Sequence, residues 1–141
     1  MNDNEIGFDE LLNYLIDVDH DFDPPLSLRV DLEVYARKLN KYALLIFRKQ
    51  NNKVIAFLGC YCNREVAFLS IISVKGEFTK QGYFKDLMNE LINHLVSIGV
   101  QKMELEVNRN NEIAYKAYLN MGFKLRDPSS TPNHDILILQ I

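Results

Sequence analysis

Near the amino terminus, the apolar residues recur at the three- and four-residue spacing of amphipathic helices. In the stretch EIGFDELLNYLIDV, the residues with this spacing are Phe8, Leu11, Leu12, Leu15 and Ile16. Pro24 and Pro25 follow, and proline lacks a backbone donor and forces the residue before it into an extended conformation. Asp31 can cap a second helix that continues to about Leu39. This part of the chain therefore predicts two short helices around a proline elbow.

From Tyr42 onward, the pattern changes to continuous runs of aliphatic and aromatic residues. The runs YALLIFRK, KVIAFLGCYC and EVAFLSIISV are separated by QNN and NR, short turn-forming segments that are typical of hairpins. We therefore expect three consecutive antiparallel strands.

The second half of the chain alternates between helical and strand patterns. One helical stripe consists of Phe84, Leu87, Met88, Leu91, Ile92 and Leu95. Gly99 is placed to end that helix, and KMELEVN then alternates as a strand does. A further helix is predicted from about Asn111 to Met121, stopped by Gly122 and followed by the closing strands FKLRD and DILILQI. This order predicts an α/β (α+β) fold, with helices flanking a mixed, mostly antiparallel central sheet.

Length and charge narrow the class of protein. A chain of 141 residues has the size of one domain with its own core, so we expect a single domain over residues 1–141. A net charge of −3 and a pI of about 5.6 argue against a protein that neutralises the phosphate backbone of nucleic acid. The segment MNDNEIGFDELL lacks the features of a signal peptide, and no apolar run reaches the roughly 18 residues of a membrane span. We expect a cytoplasmic protein without nucleic-acid or membrane partners.

The cysteines and histidines do not form a metal-binding pattern. Cys60 and Cys62 are the only cysteines, and we interpret them as buried strand residues. His20, His94 and His134 are scattered along the chain. We therefore predict no metal site, and the sequence offers no Ser-His-Asp set that would support a hydrolase.

A single glycine stands before the long helix in KQGYFKDLMNEL. A helix start exposes backbone N–H groups and the positive end of the helix dipole, which together attract an anion. No aspartate or glutamate stands at this start to cap it. A Cβ atom at Gly82 would hold an anion away from the N–H groups. The segment therefore predicts an anion site, but one glycine before a helix does not identify the anion.

A second motif lies about twenty-five residues further on, in LEVNRNNEIAYKAYLNMGF. It fits the pattern N-x-x-A-Y-x-x-Y-x-x-x-G-F through Asn111, Ala114, Tyr115, Tyr118, Gly122 and Phe123. In order and spacing, the two motifs together resemble the GNAT family of acyl-CoA-dependent N-acyltransferases. The resemblance covers roughly residues 44–126 and implies the GNAT fold, with about six to seven strands and about four helices.

The resemblance implies that acetyl-CoA is the cosubstrate. The family's pyrophosphate loop usually runs R/Q-x-x-G-x-G/A, and in this chain Thr79 takes its first position and Phe84 its last. Main-chain groups of the strand before the loop are expected to pair with pantetheine. The expected coenzyme-binding residues are Ile72, Val74, Thr79, Lys80, Gln81, Gly82, Tyr83, Phe84, Lys85, Asn111, Ala114 and Tyr115.

The implied reaction is direct transfer of an acetyl group to a primary amine. In the family, a tyrosine at the position of Tyr118 is proposed to protonate the departing thiolate, and a glutamate at that of Glu106 acts as a base through water in some members. The residues also allow another interpretation, in which Tyr115 and Tyr118 are core aromatics and Glu106 belongs to a solvated strand face. The alternative function is a non-catalytic GNAT-fold module that binds acyl-CoA or another protein.

The front segment DHDFDPPLSLRVDLEVYARKL resembles that of GNAT proteins often thought to act on sugar-linked amines. Asp19, Asp21, Asp23 and Arg29 give this segment both signs of charge. We therefore expect the acceptor to be a small-molecule amine, for example an amino-sugar derivative. A homodimer is left open.

Overall fold

The computed structural model describes residues 6–141, in which four α-helices and six β-strands follow one another in the predicted order. The helices are α1 (Phe8–Val18), α2 (Leu32–Tyr42), α3 (Tyr83–Ser97) and α4 (Glu112–Asn120). The strands are β1 (Leu44–Gln50), β2 (Lys53–Tyr61), β3 (Val66–Val74), β4 (Lys102–Asn108), β5 (Lys124–Pro128) and β6 (His134–Gln140). Three short 3-10 turns lie at Asp19–Asp21, Leu26–Leu28 and Gly76–Phe78. Glu5, which begins the first predicted helical stretch, lies outside the described residues.

The six strands form one mixed sheet in the order β1-β2-β3-β4-β6-β5. β3 pairs with β4 in parallel, whereas β6 pairs antiparallel with both β4 and β5. The predicted mixed sheet flanked by helices is therefore confirmed. The last strand of the chain, β6, lies between β4 and β5. The hydrophobic pattern of the sequence does not predict this order.

Local signals in the sequence place the turns and helix ends. Asn51 and Asn52 join β1 to β2 with φ angles of 52° and 66°, the left-handed conformation of a tight hairpin turn. The side chain of Asp31 accepts a hydrogen bond from the Val34 amide at 3.0 Å and caps α2 as predicted.

Within residues 6–141, no helix is both long enough and apolar enough to cross a membrane.

The proline elbow is held by a buried carboxylate. Asp19 accepts hydrogen bonds from the Ser27 amide at 2.7 Å and from the Ser27 hydroxyl at 2.6 Å. These bonds lower the pKa of Asp19, chiefly through the Ser27 hydroxyl. Asp19 thus forms hydrogen bonds within the segment. In the sequence it is one of the four charged residues on which the expectation of an amine acceptor rests.

The chain divides into two compact units. The first unit contains the residues up to Gly59 together with Ile71–Leu91, and its largest fully buried side chains include Leu11, Leu15, Leu39, Phe57 and Leu87. The second contains Cys60–Ser70 and Ile92–Ile141, and its largest fully buried side chains include Leu95, Met103, Leu105 and Phe123. The expectation of a single domain over residues 1–141 stays a prediction.

Candidate functional site

The start of α3 is capped by glycine, as the sequence predicts. The carbonyl of Gly82 accepts the first helical hydrogen bond, from the Asp86 amide at 3.0 Å, and Gly82 has a φ angle of +88°. A Cβ atom built on Gly82 would meet no heavy atom within 4 Å. Because N–H groups of a first helical turn point out of the helix start, an anion can approach them across this open surface.

The loop before Gly82 is held in shape by its own side chains. The Thr79 hydroxyl donates to the Gly76 carbonyl at 2.9 Å, and the Gln81 amide donates to the Glu77 carbonyl at 3.3 Å. These two side chains therefore use donors inside the loop. The expectation that main-chain N–H groups of this loop bind an anion stays a prediction.

Acidic side chains near the start of α3 are paired with one arginine of β1. Arg48 donates from Nε to Asp86 at 2.8 Å and from a terminal nitrogen to Glu90 at 2.7 Å. The hydrogen bond to Asp86 is the largest cause that raises the pKa of Arg48 above its ordinary value. Without Arg48, the Asp86 carboxylate would repel an anion at the helix start. No pattern in the sequence identifies Arg48, because its partners lie on a helix far along the chain.

The end of β3 lies next to this loop in the chain. Ile72 and Val74 are half-buried, and Ser73 between them is buried. The parallel pairing of β3 with β4 runs from Val66 to Leu69, so Ile72 and Val74 lie beyond its last pair. The expectation that main-chain groups at the end of β3 bind a ligand stays a prediction.

In the second unit, α4 begins at the predicted asparagine. The Asn111 side-chain oxygen accepts a hydrogen bond from the Ala114 amide at 3.3 Å, so it caps the helix. The sequence left open whether Asn111 caps α4 or binds pantetheine, and the structure shows the cap. Ala114 is half-buried one turn further on.

Tyr115 belongs to a polar network that no pattern in the sequence indicates. Its hydroxyl donates to Asp135 Oδ2 at 2.7 Å, and Arg109 Nε donates to Asp135 Oδ1 at 3.0 Å. Asp135 is buried on β6, where it receives both bonds. The bond to Asp135 raises the pKa of Tyr115. No local signal could have paired Asp135 with α4, since the contact depends on where β6 lies in the sheet.

We expect Tyr115→Phe to lower the free energy of unfolding by about 1.5–3 kcal/mol at neutral pH, because it deletes a hydrogen bond to a charged group. The raised pKa means that this contribution is complete below the ordinary phenol pKa of about 10 and is lost as the pH rises above it. Urea unfolding at pH 7 and at alkaline pH would measure both effects. Tyr42→Phe, at a side chain that is 58% exposed, is the control and should change little.

Tyr118 lies one turn after Tyr115 and is buried, with an exposed fraction of 7%. Its ring packs edge-to-face on Phe123, with ring centroids 5.6 Å apart. Burial raises the pKa of Tyr118. The phenol therefore stays protonated at neutral pH, as a proton donor must, while its ring also forms part of the core.

Glu106 lies on the polar face of β4, as the alternation predicts. Leu105 and Val107 are buried on the other face, and Glu106 is half-buried opposite Ile136 of β6. Glu104 lies on the same face as Glu106 and pairs with Arg126 at 3.1 Å. The face thus carries two carboxylates in different surroundings, and the catalytic role of Glu106 stays a prediction.

The comparison with known families identifies the fold. Residues 9–123 match the model of the Acetyltransferase (GNAT) family. The chain belongs to this family. The glycine-capped start of α3 and the helix from Asn111 to the Gly122-Phe123 pair are therefore elements of a GNAT acetyltransferase fold.

Three known proteins illustrate the similarity. The [Ribosomal protein bS18]-alanine N-acetyltransferase of Haemophilus ducreyi is 40% identical over 83 residues, which cover 59% of this chain and 57% of that protein. The crystal structure of the Escherichia coli ribosomal-protein-S18-alanine N-acetyltransferase has a TM-score of 0.73 and 25% identity, over 96% of this chain and 88% of that one. The PaiA N-acetyltransferase of Thermoplasma acidophilum, solved in complex with coenzyme A, has a TM-score of 0.77 and 19% identity over 96% of each chain. The match to the Haemophilus protein thus spans just over half of that relative's length.

Proposed function

We propose that this protein is an N-acetyltransferase that moves an acetyl group from acetyl-CoA to a primary amine. The observation that carries the proposal is the start of α3 in a chain of the GNAT family, where the space around a Cβ on Gly82 is open and the first N–H groups of the helix lack intrahelical partners. Such a helix start suits the pyrophosphate of coenzyme A, because oriented N–H groups stabilise phosphate charge. The coenzyme A complex of the Thermoplasma protein supports the same cosubstrate.

We assign the coenzyme contacts mainly to the main chain. The loop Thr79–Lys85 receives the pyrophosphate, and Ile72 and Val74 offer peptide groups to pantetheine. Asn111 and Tyr115 already use polar atoms inside the protein, for the cap of α4 and for Asp135. Any contacts that Asn111 and Tyr115 make with the coenzyme then come from their other atoms. The small side chain of Ala114 leaves room beside them.

The chemistry needs a base and an acid, because an ammonium ion cannot attack a thioester and a thiolate leaves more easily when protonated. The amine nitrogen forms a bond to the acetyl carbonyl carbon, and the bond from that carbon to sulfur breaks. In this proposal, Glu106 accepts the amine proton through water. Tyr118, which burial keeps in its phenol form, supplies a proton to the sulfur.

The names of the bacterial relatives redirect the choice of acceptor. The front segment of the sequence favoured a small-molecule or sugar-linked amine, whereas the Haemophilus and Escherichia proteins are named for an alanine of a ribosomal protein. We therefore propose the amino group of a protein's amino-terminal residue as the first acceptor to test. The ordinary pKa of an α-amino group is about 7.7–8.0, so part of it is neutral near pH 7 without help. A ribosomal acceptor would also place the protein in the cytoplasm.

The test is a thiol-release assay with acetyl-CoA and a panel of acceptors. The panel contains peptides with a free amino-terminal alanine, the same peptides with a blocked terminus, and amino sugars. Release that depends on the free terminus supports the proposed acceptor, and release with amino sugars alone supports the small-molecule acceptor. Tight coenzyme binding without release across this panel would favour the non-catalytic module.

We expect Glu106→Gln to reduce kcat/KM at neutral pH and to recover part of it at high pH. The substitution removes the base but keeps the size of the side chain, and at high pH the amine is already neutral. A pH-rate profile with the acceptor found above would measure this. Glu104→Gln is the matched control, since it removes a carboxylate from the same strand face and should not alter the shape of the profile. An equal loss at every pH would contradict the assignment of Glu106 as base.

A further inference from the structure

Tyr14 of α1 has a buried hydroxyl that the proposed reaction does not use. Its exposed fraction is 3%, and its hydroxyl oxygen lies 3.1 Å from Ser73 Oγ. The same oxygen lies 3.3 Å from the carbonyl oxygen of Ile55 and 3.3 Å from that of Ser73. Because Ile55 belongs to β2 and Ser73 to β3, one hydroxyl of α1 reaches both strands.

These contacts meet at the part of β3 that lies beyond its pairing with β4. Ser73 stands between Ile72 and Val74, the two residues whose peptide groups are assigned to pantetheine. On the β2 side, the Lys75 amide donates to the Ile55 carbonyl at 2.9 Å. The end of β3 is thus attached to β2 by this bond, and the Tyr14 hydroxyl lies within hydrogen-bond distance of the same carbonyl.

The ring of Tyr14 also has specific contacts. It packs edge-to-face on Phe57 of β2, with centroids 5.0 Å apart, and the Lys75 ammonium lies 5.4 Å from the ring centroid. The same ammonium lies 3.5 Å from Asp17 Oδ2, one turn further along α1. Lys75 and Tyr14 therefore join α1 to the segment that leads from β3 into the loop before α3.

The hydrogen-bond donors in this cluster can be counted. A phenol has one proton, so Tyr14 donates to one acceptor, and the Ser73 hydroxyl can donate to the Tyr14 oxygen in return. Burial raises the pKa of Tyr14 to about 12, so its proton is retained at neutral pH. Removing the hydroxyl would leave the buried Ser73 hydroxyl and a carbonyl with fewer partners, which is costly in a protein interior.

We propose that Tyr14 is a positioning residue for the coenzyme, holding the peptide groups of Ile72 and Val74 in the orientation that binds acetyl-CoA. Tyr14 acts through β3 and does not itself touch the reacting atoms. The inference rests on the proposed function, because it assigns Tyr14 to the binding of that cosubstrate. Through Tyr14, α1 therefore takes part in coenzyme binding, whether or not it also binds the acceptor.

Tyr14→Phe tests this proposal, since it keeps the ring and removes only the hydroxyl. We expect the KM for acetyl-CoA and the Kd for coenzyme A to rise about three- to tenfold, the effect of one net hydrogen bond. The kcat and the KM for the amine should change less than twofold. Amide exchange at Lys75 should become faster. An unchanged Kd, or an equal change in both KM values, would overturn the proposal.

The matched control is Ile46→Val on β1, which removes one buried methylene, loses about 0.5–1.5 kcal/mol of stability and leaves the Tyr14 hydroxyl in place. It should leave the Kd for coenzyme A unchanged, and a rise equal to that of Tyr14→Phe would overturn the proposal. Ser73→Ala provides a second route if Tyr14→Phe does not fold. It should also weaken coenzyme binding, and the double variant should lose less than the sum, because the two hydroxyls are partners.

Calorimetry on the unaltered protein separates this inference from the proposed function. If the protein does not bind coenzyme A, the proposed function fails and the role of Tyr14 fails with it. If the protein binds coenzyme A and Tyr14→Phe binds it equally well, only the role of Tyr14 fails. Binding by the protein and weaker binding by Tyr14→Phe, with Ile46→Val unaffected, supports both.

Discussion

Gly82→Val is expected to weaken coenzyme A binding by about ten- to a hundredfold, the effect of losing one hydrogen bond to a charged group. The added side chain would stand in the open space before α3, where a Cβ would meet no heavy atom within 4 Å apart from those of Gly82 and its two chain neighbours. It would therefore keep a phosphate from the main-chain donors without displacing the core. Isothermal titration calorimetry with coenzyme A measures the effect directly.

Gly99→Val is a closely matched control for this experiment. Gly99 follows the other end of α3 with a φ angle of +80°, and a Cβ there also meets nothing within 4 Å. Both substitutions force a β-branched residue into the left-handed region, so both should lower thermal stability to a similar extent. Only the Gly82 variant should lose affinity for coenzyme A. Equal affinities for the two variants would contradict the assignment of the coenzyme to this loop. Gly82→Ala replaces the valine variant if that variant does not fold.

Tyr118→Phe is expected to lower kcat about tenfold to a thousandfold, near the usual range for loss of a general acid. The phenylalanine ring keeps the edge-to-face contact with Phe123, so the change is confined to the hydroxyl. Steady-state kinetics with the acceptor identified by thiol release would measure kcat. The affinity for coenzyme A should stay close to that of the unaltered protein.

A Tyr118→Phe variant with unchanged kcat would assign this residue to the core alone. A loss of stability with no loss of turnover would point to the same conclusion. The leaving-group test can be sharpened by comparing acyl donors whose thiols differ in acidity. If Tyr118 protonates the thiolate, the variant should lose least with the most acidic thiol, since that thiolate needs the acid least.

Much of the fold follows from short-range pattern. Alternation along β4 places Leu105 and Val107 in the core and Glu106 on the other face, and helical spacing identifies the buried stripe of α3. Asp31 and Asn111 mark helix starts because their side chains can bond an amide two or three residues later. These features depend on neighbours in the chain, so the sequence is sufficient to predict them.

The candidate coenzyme loop can also be predicted from the sequence, since Gly82, the helical stripe after it and the second motif around Tyr118 have a recognisable spacing. The polar partners of the site are not readable in this way. Arg48 meets Asp86, Tyr14 meets Ser73, and each contact joins segments that are distant along the chain. No periodicity records which distant side chains share a surface.

The amino-acid sequence by itself determined the order of the helices and strands, the turns between them and the glycine-capped start of α3, because each depends on local conformation and on which face is apolar. Tertiary structure decided that β6 lies between β4 and β5. That placement buries Asp135 and brings it to Tyr115 and Arg109. Strand order depends on how the strands and helices of the whole domain pack together. Alternation along one strand shows which of its faces is buried and does not show which strand lies beside it.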